Sequence, residues 1–244
     1  MQQVCAACQL GKQAKWSFPQ ERHVSKNVLE LIHSDVWGSA KNTSMRSCRF
    51  HVTFIDDCSR KVWIYFMKEK NEVFIHFQNF KAMVEKQTGN FVQCPRSDGG
   101  GEYFSHEFIN FLKKHGIERQ FSCRYTPQPN GVAERKNRHI AEVARALMSE
   151  KNTPPCYWAK AASTAVYTMN RTPTAAVHDM TPEEKFTGKK PYVSYFKVFG
   201  CITYVHMPDE LRTKLDPKAE KNLFLLAIPL SKKVTNATIL SQIK

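Results

Sequence analysis

Three acidic side chains stand where secondary elements are predicted to pass or end. Asp35 lies within His33-Ser34-Asp35-Val36-Trp37-Gly38, Asp98 precedes Gly99-Gly100-Gly101, and Glu134 follows Asn130-Gly131-Val132-Ala133. An ionised group amid Leu31, Ile32, Val36 and Trp37 is costly unless it is paired or bound to a metal. The three glycines let backbone and ligand approach the Asp98 carboxylate closely. At about 100° per residue, Glu134 shares a helix face with Arg138, Ala141 and Arg145, away from the apolar stripe Ile140, Val143, Ala144 and Leu147. Converging carboxylates suit Mg²⁺, a hard cation that keeps positions for water and phosphate oxygens. Two such ions about 3.5–4 Å apart could clamp the attacking and leaving oxygens of a phosphodiester. The plainer alternative is a turn former at each Asp and a helix-dipole partner at Glu134.

The elements that must position these groups follow from hydrophobic period. Residues 29–37, 50–56 and 61–67 read as strands, with Asp57-Cys58-Ser59-Arg60 turning between the last two. Val73, Phe74, Phe77, Phe80, Met83 and Val84 recur at helical spacing, and Gly89 supplies the stop. Residues 91–96 form a strand ending at Asp98, Ser105 caps a helix, and residues 117–123 give a further strand. A strong helix spans 132–150, followed by one from Pro155 to about Met169 and a short one that Thr181-Pro182-Glu183-Glu184 opens as a capping box. The order β-β-β-α-β-α-β-α is an α/β layer architecture. Strand-type alternation returns over 195–206 and begins a small β unit, which places a boundary near residue 190.

Composition narrows the function classes. The 244 residues are 42% apolar and 24% charged, enough for one core of ordinary size or one core plus an annex. Lys and Arg number 36 against 22 Asp and Glu, a net charge of +14, which favours polyanionic partners, nucleic acid first. Residues 113–151 hold nine Lys or Arg against four Glu. Within that stretch Arg138 lies one helical turn beyond Glu134, placed to hold a phosphate, and its neighbours Arg135, Lys136 and Asn137 are expected on the same DNA-binding track. The longest apolar stretch contains Pro229 and is far short of the ~20 residues of a membrane span. The residues after Met1 lack the apolar core of a secretory signal. A reducing compartment, nuclear or cytoplasmic, is therefore expected, and most of the eight cysteines read as small buried apolar residues.

The segments His33–Gly38, Phe54–Trp63, Arg96–Tyr103 and Tyr125–Arg135 resemble the integrase core of copia-class long-terminal-repeat retrotransposons. The resemblance runs in order from about residue 5 to about residue 222 and includes the 35 residues between Asp98 and Glu134. It implies a ribonuclease-H-like mixed sheet flanked by helices, with Asp35, Asp98 and Glu134 as catalytic ligands of two Mg²⁺ or Mn²⁺ ions. The implied reaction is DNA 3′-end processing followed by strand transfer, acting on element ends and target DNA, by an enzyme that works as a homo-oligomer. Asp56 and Asp57 are read as shaping the hairpin turn, and Glu102 as pairing with a surface base.

The resemblance divides the chain into 1–25, a remnant of a zinc-binding segment, 26–190, the catalytic core, and 191–244, a partial barrel-like unit. Cys5 and Cys8 have the spacing of a zinc knuckle but supply only two of four ligands. The two upstream histidines that the family pairs with them are missing, so zinc is not expected. Gly99 stands where the family has Asn, and Pro129 where it has Gln, restricting Gln128 to extended conformations. The tail after Lys218 also lacks the family's Gly-Tyr strand. These departures, and ends that both read as clipped, fit a fragment of a decayed or domesticated element. The alternative function is thus a noncatalytic nucleic-acid-binding module that keeps the fold and the basic surface.

Overall fold

The computed structural model describes residues 24–121, 131–194 and 196–224. Five strands form one mixed sheet in the order β3-β2-β1-β4-β5: β1 (Leu31–Gly38), β2 (Phe50–Asp56), β3 (Val62–Met67), β4 (Cys94–Ser97) and β5 (Gln120–Phe121). The first three are antiparallel neighbours, with Asp35 opposite Thr53, whereas β4 runs parallel to β1 and β5 parallel to β4.

Successive strand residues face opposite sides. Ile32, Val52 and Phe54 point to the side covered by α1 (Val73–Thr88) and α2 (His106–Lys114), where they meet Val73, Phe77, Phe80, Val84, Phe108 and Leu112. Ile55 and Val62 enter the opposite core, with Ala133, Ile140 and Ala144 of α3 (Gly131–Glu150) and Ala161, Ala162 and Val166 of α4 (Trp158–Asn170). The alanines let these two helices approach closely. His33, Asp35 and Trp37 share the α3/α4 side of β1 by strict alternation.

Helix ends are fixed locally. Gly89 closes α1 at φ +73°, donating its N–H to Glu85 O (2.9 Å). Ser105 Oγ accepts from Phe108 N, and Thr181 Oγ1 accepts from Glu184 N to start α5 (Pro182–Thr187). Gly38 ends β1 at φ +134°, where a Cβ would stand 2.7 Å from Arg49 O.

Several boundaries differ from the sequence expectation, among them the start of β5 at Gln120 rather than 117. β1 starts at Leu31 because Leu29 takes φ +68° and donates its N–H to Asp56 Oδ1. β4 starts at Cys94, since Phe91 is 74% exposed and Val92 N bonds the Glu85 side chain. The last strand is confined to β6 (Cys201–His206), which pairs with β7 (Ala219–Phe224), a strand the polar run Ala219-Glu220-Lys221-Asn222 concealed. Phe199, just before β6, packs into the α3/α4 core. Cys5, Cys8, Gln128 and Pro129 lie outside the described residues.

Candidate active site

Asp35 sits in the middle of β1 beneath the first turns of α3, Asp98 just past the end of β4, and Glu134 on the exposed side of the first turn of α3. Asp35 is half-buried and its pKa is raised to about 6, first by burial and further by repulsion from Asp98 and Glu134, against a hydrogen bond from Asn137 that lowers it. Asp35 therefore feels both other carboxylates, which stand on separate elements. Among the described residues no three His, Cys, Asp or Glu side chains form a group that could hold a metal ion.

Asn137 is the main departure from the expected DNA-binding track. It is 3% exposed, donates through Nδ2 to Asp35 Oδ2 (2.8 Å) and accepts through Oδ1 from Thr53 Oγ1 (3.0 Å). Three residues after Glu134 on a helix, it turns inward to the sheet instead of outward to a duplex. Arg135 and Arg138 are exposed, and the Arg135 guanidinium folds back beside Gly131. Lys136 is half-buried, and its pKa is lowered by burial and by the nearby Arg60.

The floor around Asp35 is a set of fixed hydrogen bonds that sequence reasoning only touched. Tyr103 is buried and shares a 2.6 Å hydrogen bond with Ser34 on the other face of β1. Burial, with Asp35, Asp98 and Glu102 close by, holds its phenol well above the usual range despite that bond. Glu102 adds negative charge beside Tyr103, which helps to hold the phenol up.

Asp56 and Asp57 do shape the hairpin turn, and they do more. Asp56 accepts from Ser59 N and Ser59 Oγ across the turn and from Leu29 N at the entry to β1. Asp57 accepts from His33 Nε2 (2.9 Å), Arg60 Nη1 (2.8 Å) and Ser25 N (2.8 Å). Burial alone would raise the Asp57 pKa, but these donors together hold it well below the carboxylate range. The alternating apolar pattern gave no sign of this network, because its members are far apart in sequence.

Residues 26–127 match the family described as integrase core domain. Over 221 residues, 91% of the chain, it is 43% identical to the retrovirus-related Pol polyprotein from transposon TNT 1-94 of Nicotiana tabacum and 36% identical to that from transposon RE2 of Arabidopsis thaliana. The chain spans 17% and 15% of the lengths of these two relatives. Among solved structures it is similar to the simian T-cell lymphotropic virus intasome determined with the PP2A regulatory subunit B56 gamma, with a TM-score of 0.60 and 18% identity over 90% of this chain and 76% of that one. The sheet order, the flanking helices and this likeness give the ribonuclease-H-like fold of integrase catalytic cores. The chain belongs to the integrase core family of copia-type retrotransposon Pol polyproteins.

Proposed function

We propose that this chain carries out the two phosphoryl transfers of DNA integration, with Asp35, Asp98 and Glu134 as its catalytic carboxylates. The observation that supports this best is the repulsion that Asp98 and Glu134 exert on Asp35 in the middle of the sheet's central strand. An all-oxygen, anionic donor set of this kind fits hard divalent cations, and these three residues would hold two Mg²⁺ or Mn²⁺ ions. Such ions, when bound, activate the attacking oxygen and stabilise the leaving one.

The remaining work falls to the chain itself. Asn137 fixes one oxygen of Asp35, and Tyr103 with Ser34 locks the strand that carries it. Arg138, Arg135 and Lys136 supply positive charge along the start of α3 for the DNA backbone. In the first transfer a water oxygen attacks a phosphorus near the element end, the P–O3′ bond breaks and a free 3′-hydroxyl is left. In the second, that hydroxyl attacks a target phosphodiester and displaces a new 3′-oxygen, while its proton passes to solvent. Joining two element ends to one target calls for more than one copy of the chain, acting in the nucleus or the cytoplasm where such DNA is found. Among the described residues no helix is long and apolar enough to cross a membrane.

The test compares two variants on an end-bearing oligonucleotide with Mn²⁺. Asp98→Asn removes a charge and a metal ligand at constant shape, so nicking and joining should fall below detection while DNA binding persists. Arg138→Ala should weaken binding and reduce the salt dependence by about one phosphate contact. The net charge of +14 also suits one second reading, a noncatalytic DNA-binding module. Wild-type protein that binds DNA as well as Asp98→Asn, with no metal-dependent cleavage, would establish that reading instead.

A further inference from the structure

Beyond the carboxylates on the α3/α4 side of the sheet, Trp37 and His51 stack with ring centroids 5.0 Å apart at 18°. Trp158 lies tilted against both, 5.6 Å from Trp37 and 6.2 Å from His51. These rings wall a cleft of about 380 Å³, with Ala144 in its lining and Lys41 and Arg145 at its rim, and no acidic residue lines it. That volume falls in the ~300–1,000 Å³ range of small-ligand sites.

The cleft carries unmet hydrogen-bonding capacity. His51 is 2% exposed, and neither ring nitrogen has a partner of standard geometry; Trp158 Nε1 is likewise buried and unpartnered. Asn137 meets at most one His51 nitrogen, and buried polar atoms are nearly always partnered, so the other His51 nitrogen and Trp158 Nε1 point to a ligand that supplies their partners. A neutral imidazole offers one donor and one acceptor, and an indole offers a donor. Burial keeps His51 neutral near pH 7.

A flat heterocycle with donors and acceptors on its edge answers both the aromatic walls and these atoms. Lys41 and Arg145 form no ion pair with a described acid, which leaves two cations at the rim for an attached phosphate. An apolar peptide side chain would satisfy the walls but neither the nitrogens nor the rim. The position fits as well: Trp37 is two residues beyond Asp35 on the same face of β1, about 7 Å along the strand.

We propose that this cleft receives an unpaired nucleobase of the bound DNA, its flanking phosphate held by Lys41 and Arg145, and so anchors a distorted strand beside the catalytic carboxylates. The proposal rests on the DNA-integration reading and adds to it a site that reads an extrahelical base.

The test uses the full chain in EDTA with an end-bearing duplex that carries one unpaired 2-aminopurine, compared with the same duplex bearing an abasic site. Stacking on the aromatic wall should quench the aminopurine emission, and the abasic duplex should bind at least about five-fold more weakly. Ala141 lines the cleft from α3, so Ala141→Leu fills it without touching the sheet. This variant should lose both the quenching and the five-fold difference while binding the abasic duplex as the wild type does. Arg145→Ala should lower affinity for the base-bearing duplex more than for the abasic one.

Equal wild-type affinity for the two duplexes would overturn the proposal, as would a base effect that survives Ala141→Leu. Binding of free 2-aminopurine nucleotide as tight as that of the duplex would overturn the assignment to DNA and make the cleft a free-nucleotide site. Mn²⁺-dependent cleavage of the base-bearing duplex, followed in parallel, separates failure of this proposal from failure of the integration reading.

Discussion

Asn137 Nδ2 donates to Asp35 Oδ2 at 2.8 Å, joining the second turn of α3 to the centre of β1. The same amide accepts from Thr53 on β2, so one side chain ties the helix that carries Glu134 to two strands of the sheet. Two of the three carboxylates are thereby held in register by a residue that carries no charge. Asn137 is a positioning residue, and its burial explains why a polar side chain occupies a place where the apolar stripe of α3 would otherwise continue.

Replacement of Asn137 by Ala should therefore do two things. It leaves one Asp35 oxygen without its partner and Thr53 Oγ1 with only a 3.4 Å contact to Asp35 O, which costs about 1–3 kcal/mol of stability, read from denaturant midpoints. It should also raise the Mn²⁺ concentration needed for half-maximal cleavage by about 10–100-fold, a shift that lost stability alone would not produce. An unchanged metal requirement would mean that Asn137 serves only the fold.

Asp57 joins β1, through His33, to the β2–β3 turn, through Arg60, with side chains that are all at least nine-tenths buried. Asp57→Ala strands a buried guanidinium and an imidazole, and the expected loss is about 3–5 kcal/mol. The pH behaviour has a definite sign. The folded-state pKa of Asp57 lies below that of the unfolded chain, so its contribution is fully present above about pH 4 and is lost as pH falls below that. Denaturation midpoints taken from pH 5 to pH 3 should fall more steeply for the wild type than for Asp57→Ala.

His51 gives a second and earlier acid transition. Burial pushes its pKa down to about 4 from an ordinary value of 6.5, against an opposing hydrogen bond with Asn137. Between these values the unfolded chain holds a proton that the folded one lacks, so stability falls with pH from about 6.5 toward 4. At about 1.4 kcal/mol per pKa unit the full effect is about 3 kcal/mol. His51→Phe keeps a ring between Trp37 and Trp158 and should flatten the slope of unfolding free energy by about 1.4 kcal/mol per pH unit across that range. An identical slope in the variant would show that other groups carry the acid sensitivity.

Much of this protein was legible in its sequence because the relevant physics is local. Helical spacing from Val73 to Val84 and the Ser105 and Thr181 caps each act within a few residues, and the structure places them accordingly. The β-branched and aromatic strands 50–56 and 61–67 were equally plain, the second starting one residue later in the structure, as was the alternation that puts Asp35 and Trp37 on one face. Asp35, Asp98 and Glu134 stood out as acids at element edges amid glycines and apolar neighbours. What the tertiary structure alone decided depends on contacts between distant segments. The inward turn of Asn137 is set by Thr53 and Asp35, 84 and 102 residues away. Strand pairing hides a polar β7, and Leu29 leaves the strand conformation to reach Asp56. The aromatic cleft exists only because β1, β2 and α4 bring Trp37, His51 and Trp158 together, each of which alone reads as an ordinary core residue. Periodicity reports which face a residue takes on its own element; which groups that face then meets is fixed only when the elements pack.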